Sequence, residues 1–170
     1  MDKKDNIERI NTKIVTGFGK IEKNLVEARN IAELFEFLFT GIEEEFQVPF
    51  VWLTVADTEK GVPVIEAAQS SGFLKDRLNI VKFTFFHEIF TSGFKPILVN
   101  KNLTKYYRLF PKHRKYFVKS LALVPFKING ELIGSWNNGD AAQCRYTPDM
   151  ETNLLQKLAR LISARLDELI

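Results

Sequence analysis

Apolar residues recur along this chain in two rhythms, and the change from one to the other marks its parts. In residues 6–29, Ile7, Ile10, Ile14, Ile21 and Ala28 fall at heptad-like spacing between charged residues. A stripe this narrow predicts a helix that packs on another helix, in the chain or across a dimer. Gly17-Phe18-Gly19 interrupts it. Two glycines cost a helix interior roughly 2 kcal/mol relative to alanine, which predicts a kink or a break there. Asn30, with Glu33 three residues on, is a capping-box start. Ile31, Leu34, Phe35, Leu38, Phe39, Ile42 and Phe46 then follow helical spacing without a gap, until Pro49 disfavours helix at Val48.

The rhythm changes at Phe50-Val51-Trp52-Leu53-Thr54-Val55-Ala56, where β-branched and aromatic residues predict a strand. A turn over 57–61 leads into 62–69, read as a returning strand at a sheet edge because Pro63 cannot serve a ladder. Residues 73–119 are irregular: a short helix over 84–90, a strand over 95–99, a helix over 102–110 and a turn over 114–118. Long crossovers of this kind are where binding sites tend to lie. Regularity returns with Ser120 to Phe126, the Asn129-Gly130 hairpin signal, and Glu131 to Trp136. Thr147-Pro148-Asp149 reads as a helix start, and Met150, Leu154, Leu158, Leu161, Ile162 and Leu166 continue on one stripe.

Composition adds bounds. The 170 residues suit one domain, and 45% apolar with 26% charged residues is ordinary for a soluble protein. Neither a membrane-spanning run nor a signal peptide is visible, so a cytoplasmic protein without a membrane partner is expected. Cys144 is the single cysteine and His87 and His113 the only histidines, which excludes an internal disulfide and disfavours a metal cluster. Between Ile89 and Gly130 there are nine lysines and arginines and no acidic residue, so the rest of the chain is net acidic. That asymmetry points to an anionic ligand or partner, or to a solvated basic face.

The element order resembles the GAF fold. Ser120-Leu-Ala-Leu-Val-Pro, Ile133-Gly134-Ser135, and Arg145-Tyr-Thr-Pro-Asp-Met followed by a Leu-rich helix further resemble a bacterial GAF-like family of unknown function. Trp136 and Asn138 depart from it, standing where that family usually has Leu. The resemblance covers 30–170, with 1–29 as a helical extension for dimerisation. It implies an α+β fold with a central antiparallel sheet of about six strands. Long N- and C-terminal helices would cover one face and short crossover helices and loops the other. It also implies a sensory role and a homodimer formed through the terminal helices.

On that scheme Trp52, Thr54, Ser120, Ala122, Ser135 and Asn137 form the floor of a pocket roofed by 73–119. Phe86 lines it, and Lys82, Lys101 and Arg108 supply positive charge for a small anion with a flat apolar part. The resulting expectation is a non-catalytic regulatory domain in signal transduction, binding a small anion, with no cofactor named. The first alternative is a scaffold or protein-interaction domain whose own aromatics (Phe83, Phe85, Phe86, Phe90, Phe94) fill the pocket. The second is single-stranded nucleic acid binding by the interleaved bases and aromatics of 95–119; against it stand a modest net charge and no recognition motif. Asn100-Lys101 and Phe110 match half of the cyclic-nucleotide GAF motif, but Arg114 and Lys115 occupy its two acidic positions. Catalysis finds no nucleophile–base pair: Cys144 has no histidine near it in sequence, and GAF-fold methionine-sulfoxide reductases work through several cysteines.

Overall fold

The computed structural model describes residues 2–91, 93–111 and 117–170. Helix α1 (Lys3–Val26) runs without interruption through Gly17-Phe18-Gly19, correcting the expected break. The reason is close packing on α2 (Ile31–Phe46): a Cβ on Gly17 would sit 3.0 Å from the Phe46 ring. The second half of α1 buries Ile21 and Leu25, whereas Ile7, Ile10 and Ile14 remain exposed. Asn30 caps α2 as the sequence predicts, accepting from the Glu33 N–H at 2.9 Å. The helix ends at Gln47 in the left-handed conformation, ahead of Pro49.

Strand β1 (Phe50–Ala56) lies where expected, but the returning strand over 62–69 is instead α3 (Val62–Ser70). Pro63 occupies the first helical turn, where its missing N–H costs nothing. Val64 and Ala68, four residues apart, turn into the core. A strand that the sequence rhythm did not reveal, β2 (Leu78–Val81), pairs parallel with β1. Helix α4 (Phe83–Ile89) and the short edge strand β3 (Ile97–Val99) follow. Leu103–Leu109 is 3-10 helix, and the turn expected over 114–118 lies largely outside the described residues.

The central hairpin pairs β4 (Ser120–Ile128) with β5 (Glu131–Asp140) through Asn129 and Gly130, whose φ values are 49° and 78°. Both are left-handed, as a type I′ turn requires. The sheet has five strands in the order β2-β1-β5-β4-β3 and is mixed, not the six antiparallel strands expected.

The last helix, α5 (Asn153–Leu169), starts later than Thr147-Pro148-Asp149 suggests. Thr147 donates to Asp149 and its C=O accepts from the Met150 N–H, closing a turn that keeps Met150 out of the helix. Leu158, Ile162 and Leu166 of α5 join α1, α2 and the sheet in one core, so this stripe is used within the chain. Each such buried side chain contributes about 1.5–3 kcal/mol. Arg165 fastens the two ends of the chain by donating to the C=O groups of Leu25 and Ala28. No helix among the described residues is long and apolar enough to cross a membrane.

Candidate functional site

Register decides which side chains share a face of the sheet. Trp52 stands opposite Asn137 and Thr54 opposite Ser135, so these four expected site residues do converge on the side away from the long helices. Ser120 and Ala122 do not join them. Lys127 pairs with Leu132 but Phe126 with Gly134, a β-bulge that leaves Ile133 as the extra residue. Beyond it Leu123, not Ala122, faces Asn137. Ser120 and Ala122 therefore point to the helical side, Ser120 donating to the Ala142 C=O at 2.7 Å.

The crossover seals this first face. The indole N–H of Trp52 and the hydroxyl of Thr54 both donate to the Leu109 C=O, each at 2.9 Å. Asn137 bonds Thr54 at 2.9 Å and Ser135 at 2.8 Å in either orientation of its amide. Phe110 stacks on Trp52, ring centroids 4.7 Å apart. Phe86 is fully buried in the same cluster, with Tyr106, Leu109, Leu121 and Leu123. Every polar group of the expected floor thus has a partner within the chain, and aromatic rings occupy the space above it.

The three expected basic residues do not converge there either. Lys82, Lys101 and Arg108 are all exposed, and the Arg108 guanidinium lies over the Phe85 ring at 4.1 Å. Tyr106 turns inward and Tyr107 is half-buried against Phe110, while Tyr116 lies outside the described residues. Among the described residues no three histidine, cysteine or acidic side chains gather as metal ligands.

A second candidate lies on the other side of the sheet, where α1 passes the start of α5. A cleft of ≈ 270 Å³ opens there. Its walls are apolar: Ile14 and Phe18 of α1, Phe46, Leu98, Met150 and Leu154. Its polar lining residues are Asn138, Arg145, Tyr146, Glu151 and Asn153. Asn138 is 4% exposed, and its Oδ1 has no hydrogen-bond partner among the described residues. The Asn138 amide lies close enough to the Tyr146 hydroxyl to act on its ionisation. Burial pushes that phenol up, and Asp140 adds to the effect; Arg145 and the Asn138 amide act the other way.

Arg145 donates to the Phe46 C=O and approaches Asp140 Oδ2 at 3.4 Å, so its charge is balanced locally. Cys144, one residue before these lining groups, is exposed. Sequence reasoning missed this cleft because α1 supplies one wall and the 145–155 turn the other. The visible hint was Asn138, a polar residue on the same face of β5 as Trp136.

No family model matches the chain, and no curated protein matches it. A solved structure that does match is the free methionine-R-sulfoxide reductase from Neisseria meningitidis in complex with its substrate. The TM-score is 0.59 at 14% identity, over 88% of this chain and 86% of that one. At that identity the likeness shows the fold, which is GAF-like. It overturns two expectations. The narrower assignment to a GAF-like family of unknown function finds no matching family model and is withdrawn. The expectation of a non-catalytic sensory domain rested on the GAF resemblance and on finding no nucleophile–base pair, and the match to a reductase of the same fold removes the ground for excluding catalysis.

Proposed function

We propose that this protein binds a small molecule in the cleft between α1 and the start of α5. The observation that carries the reading is a cleft with largely apolar walls and a few polar side chains (Asn138, Arg145, Tyr146, Glu151 and Asn153), the usual make-up of a small-molecule site. On the face expected to bind, Leu109 and Phe110 pack over Trp52 and Thr54, and the polar groups of Trp52, Thr54, Ser135 and Asn137 pair within the chain. Ligand-observed NMR with a fragment set, repeated on Leu154→Trp to fill the cleft, tests the proposal. Fragments that bind the native protein should lose their signal change with the variant. Unaltered binding to Leu154→Trp would remove the cleft from consideration.

A second reading is reduction of a small sulfoxide, supported by the fold shared with a reductase and by Cys144 beside the cleft. With a single cysteine the cycle needs an external thiol. The Cys144 thiolate takes the sulfoxide oxygen, the substrate S–O bond breaks, and a thioether leaves behind a sulfenic acid. Two molecules of a low-molecular-weight thiol then restore the cysteine, releasing water and a disulfide. Loss of free methionine-R-sulfoxide with dithiothreitol, followed by chromatography, checks this. Equal rates for native protein and Cys144→Ser would eliminate it.

A further inference from the structure

Two lysines of the acid-free block come to lie beside α5. A second groove, of ≈ 460 Å³, opens where that helix passes the β4–β5 turn. Lys95 ahead of β3, Lys127 on β4 and Arg160 on α5 line it, together with Pro125 and Ser163. These three basic residues are far apart in sequence. They share the groove because α5 packs on β4, where the Lys127 N–H donates to Ser163 Oγ at 3.0 Å.

Their lack of counter-charges sets the three apart. Nearby, Lys157 pairs with Glu22 at 3.6 Å, Lys60 with Glu131 at 2.8 Å, and Arg165 with Glu168. Lys95, Lys127 and Arg160 make no ion pair among the described residues. Lys127 holds its Nζ 3.5 Å from the centre of the exposed Phe94 ring, which lines the same groove, so its charge stands at the groove wall. The acidic residue of the lining, Asp167, already accepts the Asn129 N–H at 2.8 Å. Three basic residues against one acidic give the groove a positive surplus that the described chain does not neutralise.

Strand addition is not what this groove offers. β3 covers β4 only from Leu121 to Leu123. Beyond that point Pro125 has no N–H to give, and that of Lys127 goes to Ser163, so the edge is blunted. What remains for a visitor is side-chain charge.

We propose that this groove binds a compact polyanion, a small molecule carrying two or more phosphate or carboxylate groups. Arg160 takes one acid group bidentately, and the two lysines serve as mobile point charges for the rest. The groove shares no lining residue with the cleft between α1 and the start of α5, so this site stands apart from the one proposed above.

Pyrophosphate and citrate, titrated separately by calorimetry at a constant ionic strength of about 0.15 M, are the probes. At least one should bind the native protein saturably at one site, and the tighter of the two names the acid group recognised. Lys95→Glu and Arg160→Glu should each weaken that binding roughly tenfold or more. Lys101→Glu alters net charge equally at an exposed position outside the groove, and its affinity should stay within about twofold of native. Leu154→Trp, which fills the cleft, should bind as the native protein does. Thermal melts establish that each variant is folded.

Absence of saturable binding by both anions to the native protein would overturn the proposal with no variant involved. A loss in Lys101→Glu equal to that in Arg160→Glu would reduce the effect to overall charge and overturn it too. Binding abolished by Leu154→Trp and untouched by Arg160→Glu would move the anion to the cleft, with the same consequence for the groove.

Discussion

Asn137 and Asn138 are adjacent on one strand, both buried, and their surroundings could hardly differ more. On the first face Asn137, Thr54, Ser135 and Trp52 form a closed hydrogen-bonded group around the Leu109 C=O, with Phe110 stacked above. On the second face the Asn138 side chain borders an apolar cleft, and its buried Oδ1 has no hydrogen-bond partner among the described residues. The difference teaches that polar residues on a sheet do not by themselves mark a binding site. Where the chain satisfies them internally they hold the fold together.

The largest effect expected from breaking this contrast is on the sealed face. Trp52→Ala should cost about 3–5 kcal/mol in urea unfolding, because it removes the ring under Phe110 and one donor to Leu109. A loss under about 1 kcal/mol would mean that the crossover is not seated on this ring. The neighbouring asparagines then give a paired test. Asn137→Leu should destabilise by about 1–3 kcal/mol, since Thr54 and Ser135 each lose a partner. Asn138→Leu removes an oxygen already unpaired among the described residues, together with the amide beside the Tyr146 hydroxyl, so it should cost less than Asn137→Leu. Equal costs for the two would erase the contrast.

Both faces depend on the hairpin that sets their register. Gly130→Val should cost about 1–2 kcal/mol, because a β-branched residue at φ 78° is strained; an unchanged melting temperature would contradict the turn geometry. The smallest effect concerns alkaline pH. The raised pKa of folded Tyr146 contributes stability that is full below the ordinary phenol value and declines as pH rises through the folded one. Above about pH 10 the native protein should therefore lose stability, and Tyr146→Phe should flatten that decline. Superimposable pH profiles would show that burial of this hydroxyl has no energetic consequence.

How much of this was legible in the sequence depended on whether the deciding interaction was local. The Asn30 cap, the Asn129-Gly130 turn and the stripes of α2 and α5 are local, and each was readable. The segment 62–69 was misread because eight residues carry too little periodicity to separate a short helix from a strand. Pro63 is acceptable in either, and only the packing of Val64 and Ala68 decides. Trp52, Thr54, Ser135 and Asn137 were grouped on one face, which the register reproduces, but none of the four lines the cleft.

Ser120 and Ala122 were expected beside them, and counting back from the turn without interruption would set Ala122 opposite Asn137. The extra residue Ile133 shifts the partner by one and reverses the face. The basic block was visible as composition, but Lys82, Lys101 and Arg108 face solvent, a matter of tertiary placement. Trp136 and Asn138 stood out as departures from leucine, and they carry the two buried side-chain atoms left unpaired among the described residues.

The central claim is that ligand enters on the helical side of the sheet and not beneath the crossover. A ¹⁵N chemical-shift map recorded while a fragment that binds the native protein is titrated in tests it most directly. The account predicts that the side-chain amide of Asn138 and the backbone amides of Tyr146 and Leu154 shift together and saturate, while the indole N–H of Trp52 stays in place. A Trp52 signal that moves first, with Asn138 unchanged, would contradict it and return the site to the other face.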